Sequence, residues 1–259
     1  MLETLVITLR EGIEAFLIVA VTLAYLKKTG RQHLAYAVYF GAVLAVTGSV
    51  TAVVVLRDTI MTPLYEGLLA LIAAGMVLWM MVYMRRAAKT MRQDIQKRMD
   101  AASMQTGGLG AFVALSLFTL LMVSREGLET AFLMAALMGQ VDTQGMLLGA
   151  GLGVLLAVAL AWGWSRFGHR VNLTQFFKVT TLFLALFVVQ LFVYAFHEFT
   201  EAGVLPLDNA YWHIATEPYG PEGAYGVLFS YAMVLLPLLW IAVSSYKRRF
   251  QSTSTQLQH

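Results

Sequence analysis

A charged pentapeptide occurs twice in apolar surroundings, as Arg10-Glu11-Gly12-Ile13-Glu14 and as Arg125-Glu126-Gly127-Leu128-Glu129. On a helix, Glu11 and Glu14 are three residues apart and share a face, as do Glu126 and Glu129. Arg10 and Glu14 are four apart, as are Arg125 and Glu129, so each copy can close an internal ion pair. Placing six charges in hydrocarbon is expensive. At ~2.5–3.5 kcal/mol for each central charge, an unpaired set costs on the order of 15–20 kcal/mol. Four carboxylates against two guanidinium groups leave a charge of −2, which a multivalent cation offsets. Carboxylate oxygen is a hard donor and suits Mg, Ca, Mn or ferric iron, whereas copper(I) prefers sulfur. A purely structural reading, two buried Arg–Glu bridges, leaves one Glu in each copy without a countercharge. The metal-ligand set read from the sequence is therefore Glu11, Glu14, Glu126 and Glu129, with Arg10 and Arg125 as supporting charges.

Other polar residues at the edges of apolar segments form a second tier. Glu66, in Tyr65-Glu66-Gly67, either lines a way in or favours a helix N-terminus by its charge. In His197-Glu198-Phe199-Thr200-Glu201, the two glutamates are three apart and could pass a cation inward with His197 as helper; equally, all three could simply meet water. Met76 and Met80-Met81 lie in an apolar helix without a repeated spacing and read as core filler. Trp79, Tyr211 and Trp212, near segment ends, read as interface anchors.

The elements that must position these groups are membrane helices. The chain has 259 residues, 59% hydrophobic and only 13% charged, against roughly 25% charged in a soluble domain. There are no cysteines, which excludes disulfides and thiolate metal sites. The basic residues lie in short loops beside apolar runs, a pattern of membrane orientation that does not suggest nucleic acid. Seven apolar segments, roughly 4–26, 34–56, 65–84, 109–138, 145–165, 176–197 and 224–246, are expected to cross the bilayer as helices, because an open backbone in lipid leaves its amides unpaired. The first, lacking a basic n-region and a cleavage site, reads as a retained span.

Lys27, Lys28 and Arg31; Arg85, Arg86, Lys89, Arg92, Lys97 and Arg98; Arg166, Arg170 and Lys178; and Lys247, Arg248 and Arg249 all fall on one side of that topology. The positive-inside rule then puts the N-terminus outside and the C-terminus in the cytoplasm. The loop after segment six holds Glu198, Glu201, Asp208, Glu217 and Glu222 without Lys or Arg, and an acidic vestibule of that kind concentrates cations.

The pentapeptides stand 115 residues apart, in segments one and four. With three spans per unit, the second enters from the opposite side, an inverted repeat of the kind transporters use to build a midplane site. The expected fold is an all-α integral membrane protein of seven transmembrane helices, a three-plus-three inverted repeat with one helix added. Its parts are a first repeat (1–84), a cytoplasmic linker (85–108), a second repeat (109–197), an acidic outer loop (198–223), a seventh helix (224–246) and a cytoplasmic tail (247–259), of which Gln251–His259 is expected to be unstructured. If segments one and four cross at Gly12 and Gly127, the four carboxylates converge.

At these residues the chain resembles the oxidase-dependent iron transporters, which include fungal high-affinity iron permeases and bacterial EfeU-type permeases. The paired motif carries the resemblance, with Ile13 where Leu is usual. It extends through Leu64-Tyr65-Glu66-Gly67, Asn172-Leu173 with Phe176-Phe177-Lys178, and His197-Glu198 with Glu201-Ala202-Gly203. The resemblance implies import of iron, ferric after oxidation by a separate extracytoplasmic oxidase or delivery protein, with Glu11, Glu14, Glu126 and Glu129 carrying the ion. It implies a bacterial inner-membrane location, no permanently bound cofactor and no enzyme activity.

A divalent permease for ferrous iron, manganese or lead is the nearest alternative. A retinal-type seven-helix pump is disfavoured because Gly226 to Tyr246 has no Lys for a Schiff base. An intramembrane enzyme ranks last, since no zinc-binding His-Glu-x-x-His is present.

Overall fold

The computed structural model describes residues 1–57, 62–87, 109–167, 173–220, 223–237 and 239–240. Most of the expected cytoplasmic linker, Arg170, Asn172, Glu222 and the tail lie outside them. Every regular element described is helical: α1 (Leu2–Lys28), α2 (Ala35–Arg57), α3 (Pro63–Ala87), α4 (Leu109–Leu137), α5 (Thr143–Phe167), α6 (Leu173–Glu201), the short α7 (Asn209–Thr216) and α8 (Ala224–Pro237). Local chemistry sets several starts. Pro63 stands at the first position of α3, where a missing N–H costs nothing. Asp142 accepts from the Gly145 amide at 2.8 Å ahead of α5, and Asp208 accepts from the Tyr211 amide at 3.1 Å ahead of α7.

The expectation of seven crossing helices is corrected by the structure. Five of the described helices are long and apolar enough to cross a membrane: Gln32–Val54, Pro63–Tyr83, Leu109–Leu137, Thr143–Gly163 and Phe176–Glu201. The first segment forms a full-length helix, but Glu3, Arg10, Glu11 and Glu14 break its apolar run. Of the seventh segment, residues 224–237 and 239–240 are described and helical, and the rest of 224–246 lies outside the described residues. The architecture is thus an all-α membrane fold of eight described helices with five candidate spans, in place of seven. The acidic outer segment is also more ordered than a loop, since it holds α7 and a 3₁₀ turn at Glu217–Tyr219.

Where the helices sit follows from what they carry. The apolar windows of α2 and α5 are only 22% buried, and they turn Val43, Val46, Val50, Leu147, Leu155 and Val158 outward, whereas the window of α6 is 56% buried. Lipid is as good a solvent as protein for such side chains, so outward Leu and Val are the expected surface. The charge-bearing α1 lies inside, with Arg10, Glu11 and Glu14 all buried. One core, from Ile7 through Ala70, Leu133, Phe183 and Phe187 to Met233, joins α1, α3, α4, α6 and α8; a second, including Ile18, Val38 and Leu115, joins α1, α2 and α4.

The internal repeat is visible in the packing. The main pairings are α1 with α5, α2 with α4, and α3 with α6. A Cβ added to Gly12 would stand 2.9 Å from the Ala157 Cβ, and one added to Gly127 would stand 2.8 Å from the Ser49 Cβ. Likewise, a Cβ on Gly41 would lie 3.0 Å from the Thr119 Cβ, and one on Gly149 would lie 3.1 Å from the Thr4 Cβ. Each contact in one half has its counterpart in the other. The halves are interleaved, because the first helix of each packs on the second helix of the other.

Candidate metal centre

The centre is built where α1 passes α4. Glu11, Glu126 and Glu129 each offer a carboxylate oxygen, all within 4.8 Å of one another, and all three residues are buried. The glycines work differently from the expected crossing. Gly12 abuts α5 and Gly127 abuts α2, so the missing side chains let α5 and α2 close in from behind while the carboxylates meet at the α1–α4 seam. Glu11 Oε2, Glu126 Oε2 and Glu129 Oε2 are buried and have no hydrogen-bond partner among the described residues. Orphaned buried oxygens are rare in folded proteins and call for an explanation, such as an ion.

The fourth motif glutamate, Glu14, is not in that group, although its Oε1 is also buried without a hydrogen bond among the described residues. Glu14 Oε1 lies 2.8 Å from Arg10 Nη2, and Arg10 Nη1 also donates to Glu11 Oε1 and, at 3.4 Å, to Met80 Sδ. Arg10 is 1% exposed, so its charge must be met locally. In the second copy, Arg125 Nε donates to Glu129 Oε1 at 3.1 Å with its side chain 35% exposed. Its guanidinium lies over Tyr83 at 4.8 Å and Trp79 at 5.8 Å, a cation–π seat. Trp79 therefore carries Arg125 in addition to any anchoring role.

A small cavity opens beside the centre between α3 and α4, lined by Ala73, Met76, Val77, Met80, Glu129, Phe132 and Leu133. The sequence singled out Met76 and Met80 only as filler. Their place on the cavity wall comes from the α3–α4 contact, which no spacing in the chain announces.

The second-tier residues divide into two groups on α6. Tyr194, missed from sequence, donates to Glu66 Oε2 at 2.5 Å across the α3–α6 interface. Gly67 lets α6 close in there: a Cβ on it would lie 3.2 Å from the Glu198 Cβ. Glu198 is buried, while Glu201 faces water. His197 and Glu201 group with His213, which α7 brings to them.

Buried carboxylates gathered between two related helices, inside a bundle with an apolar outer surface, define a multi-pass membrane protein of the cation-permease type. Comparison with known proteins refines the class. The sequence profile described as the iron permease FTR1 family matches residues 1–246. The chain is 34% identical over 208 residues to the protein named ferrous iron permease EfeU of Escherichia coli O6:K15:H31, covering 76% of this chain and 73% of that one. The EfeU of Yersinia pestis is 33% identical over 209 residues, covering 76% and 72%. An uncharacterized protein of Archaeoglobus fulgidus is 35% identical over 208 residues, covering 78% and 71%. No solved structure matches. The chain belongs to the iron permease FTR1 family, and it is a transporter of iron across a membrane, with iron as its substrate.

Proposed function

We propose that Glu11, Glu126 and Glu129 hold the iron ion in transit, and that Glu14 serves chiefly to keep Arg10 neutralised beside them. The observation that carries this reading is the trio of buried carboxylates, each with an unpartnered oxygen. Burial and mutual repulsion make that grouping unfavourable without a cation, so the ion supplies the missing attraction.

Iron enters from the acidic end, past Glu201, Glu198 and Glu66, and leaves toward the end where Lys27, Lys28 and Arg31 lie. That direction follows the Lys and Arg bias, which marks the cytoplasmic side. Because Glu11 belongs to the α1–α5 pair and Glu126 and Glu129 to the α2–α4 pair, relative movement of the two pairs would make and break the site. This is alternating access with interleaved halves as the moving bodies.

The all-oxygen donor set suits ferric iron, delivered after oxidation by an extracytoplasmic partner. Ferrous iron is the second reading, favoured by the name of the Escherichia coli and Yersinia relatives. Uptake of radioactive iron into vesicles tests both. Ferric citrate is expected to be the better substrate for the purified permease. Uptake supported only by iron kept reduced selects the ferrous reading, and undiminished uptake in Glu126→Gln overturns the site.

A further inference from the structure

Among the described residues, one group of side chains outside the carboxylate trio has ligand chemistry. His197 and Glu201 lie one turn apart near the C-terminal end of α6 and share a face. His213 comes from α7, which packs on α6 through Trp212 set edge-on to Phe196, ring centroids 5.8 Å apart. The His197 and His213 rings lie nearly parallel with centroids 4.5 Å apart. One ligand atom from each of His197, Glu201 and His213 falls within 4.8 Å of the others.

Two further observations point to a ligand. His213 Nδ1 is buried and lacks a hydrogen-bond partner among the described residues, although water is close by at Glu201. His197 Nδ1 is 2.8 Å from Thr216 Oγ1, and that hydroxyl donates to the Trp212 carbonyl at 2.8 Å. When its hydrogen goes to that carbonyl, Thr216 Oγ1 accepts. In that arrangement His197 Nδ1 carries the ring proton and donates it to Thr216 Oγ1, which leaves the lone pair on Nε2. Fixing the tautomer through the second ring nitrogen is how metal-binding histidines are usually prepared.

We propose that His197, Glu201 and His213 form a second cation site at the acidic end, separate from the trio, for a divalent first-row transition ion such as ferrous iron, cobalt or zinc. Two imidazoles and one carboxylate are borderline donors and favour such ions over Mg, Ca or ferric iron. A bound ion ties α7 to α6. As a loading site for the permease it rests on the iron-carrier reading above; as a binding site it does not.

The test is titration of the purified full-length protein with Co²⁺ in detergent, followed by visible absorption. Wild type is expected to show an imidazole-bound Co²⁺ spectrum. His197→Ala, His213→Ala and the polar substitution His213→Gln are each expected to weaken it by about tenfold or more, with helix content and size-exclusion profile unchanged. Glu126→Gln is expected to leave it intact. Equal Co²⁺ affinity in wild type and both His213 variants overturns the site, and so does its loss in Glu126→Gln. Iron uptake at limiting iron separates the two claims. Wild-type uptake in His213→Gln, with Co²⁺ binding lost, removes the loading role and leaves the carrier reading standing. Unchanged uptake in Glu126→Gln removes the carrier reading and leaves the binding site standing.

Discussion

The two copies of the pentapeptide have nearly the same sequence and different circumstances. In the first, Arg10 is sealed inside the bundle and divided between Glu11 and Glu14, with Met80 also against its Nη1. In the second, Arg125 is partly open, holds only Glu129, and leans on Tyr83 and Trp79. Glu126 and Glu129 both join the trio, but only Glu11 does so from the first copy. An internal repeat therefore supplies matching chemistry, and the surroundings then divide the labour: one copy mainly closes its own charges, the other mainly presents them. The asymmetry traces to α3, which both arginines face. A strict two-fold would send Arg125 to α6 instead.

Substitutions at equivalent positions can break this comparison. The largest effect is expected on transport. Glu129→Gln should abolish iron uptake at normal protein level, while Glu14→Gln should retain a substantial part of it. Equal loss in both would show that the copies share the ion evenly. Next come the arginines. Arg10→Ala leaves Glu11 and Glu14 buried without a countercharge and should cost about 3–5 kcal/mol, seen as lower folded yield and an earlier thermal transition in detergent. Arg125→Ala should cost about 1 kcal/mol or less, because its pair is partly solvated.

Smaller and matched effects are expected where the halves are alike. Gly41→Ala and Gly149→Ala each press a methyl group against the backbone and a threonine of the facing helix. Each should destabilise by about 1–3 kcal/mol, and a large difference between them in thermal unfolding would argue that the repeat is only approximate there. The smallest effect belongs to Trp79→Leu, which should cost about 0.5–1 kcal/mol by removing part of the aromatic seat under Arg125. Without Arg125 the seat holds no cation, so Trp79→Leu is expected to add little in an Arg125→Ala background.

Much of the candidate site was readable without coordinates, because charges in apolar helices are costly enough to stand out. Glu11, Glu126 and Glu129 were visible in that way, as was their occurrence in two related units. Glu14 carried the same signal, and only the packing of Arg10 sets it apart. Tyr194, His213, Met76 and Met80 carried no signal. A tyrosine in an apolar helix or a lone histidine beyond one has no spacing that points to a partner on another element. The number of crossing helices differs because segment one carries Glu3, Arg10, Glu11 and Glu14 within its apolar run, and because segment seven is described only over 224–237 and 239–240.

Composition and the repeated motif alone determined that this chain is a helical membrane protein with hard-donor carboxylates in two related units, since burying unpaired backbone and uncompensated charge is costly. The fold decided which carboxylates meet, which arginine is sealed, and that the glycines serve α2 and α5, not each other. Those outcomes depend on the interleaving of the halves, a long-range arrangement set by complementary surfaces on separate helices.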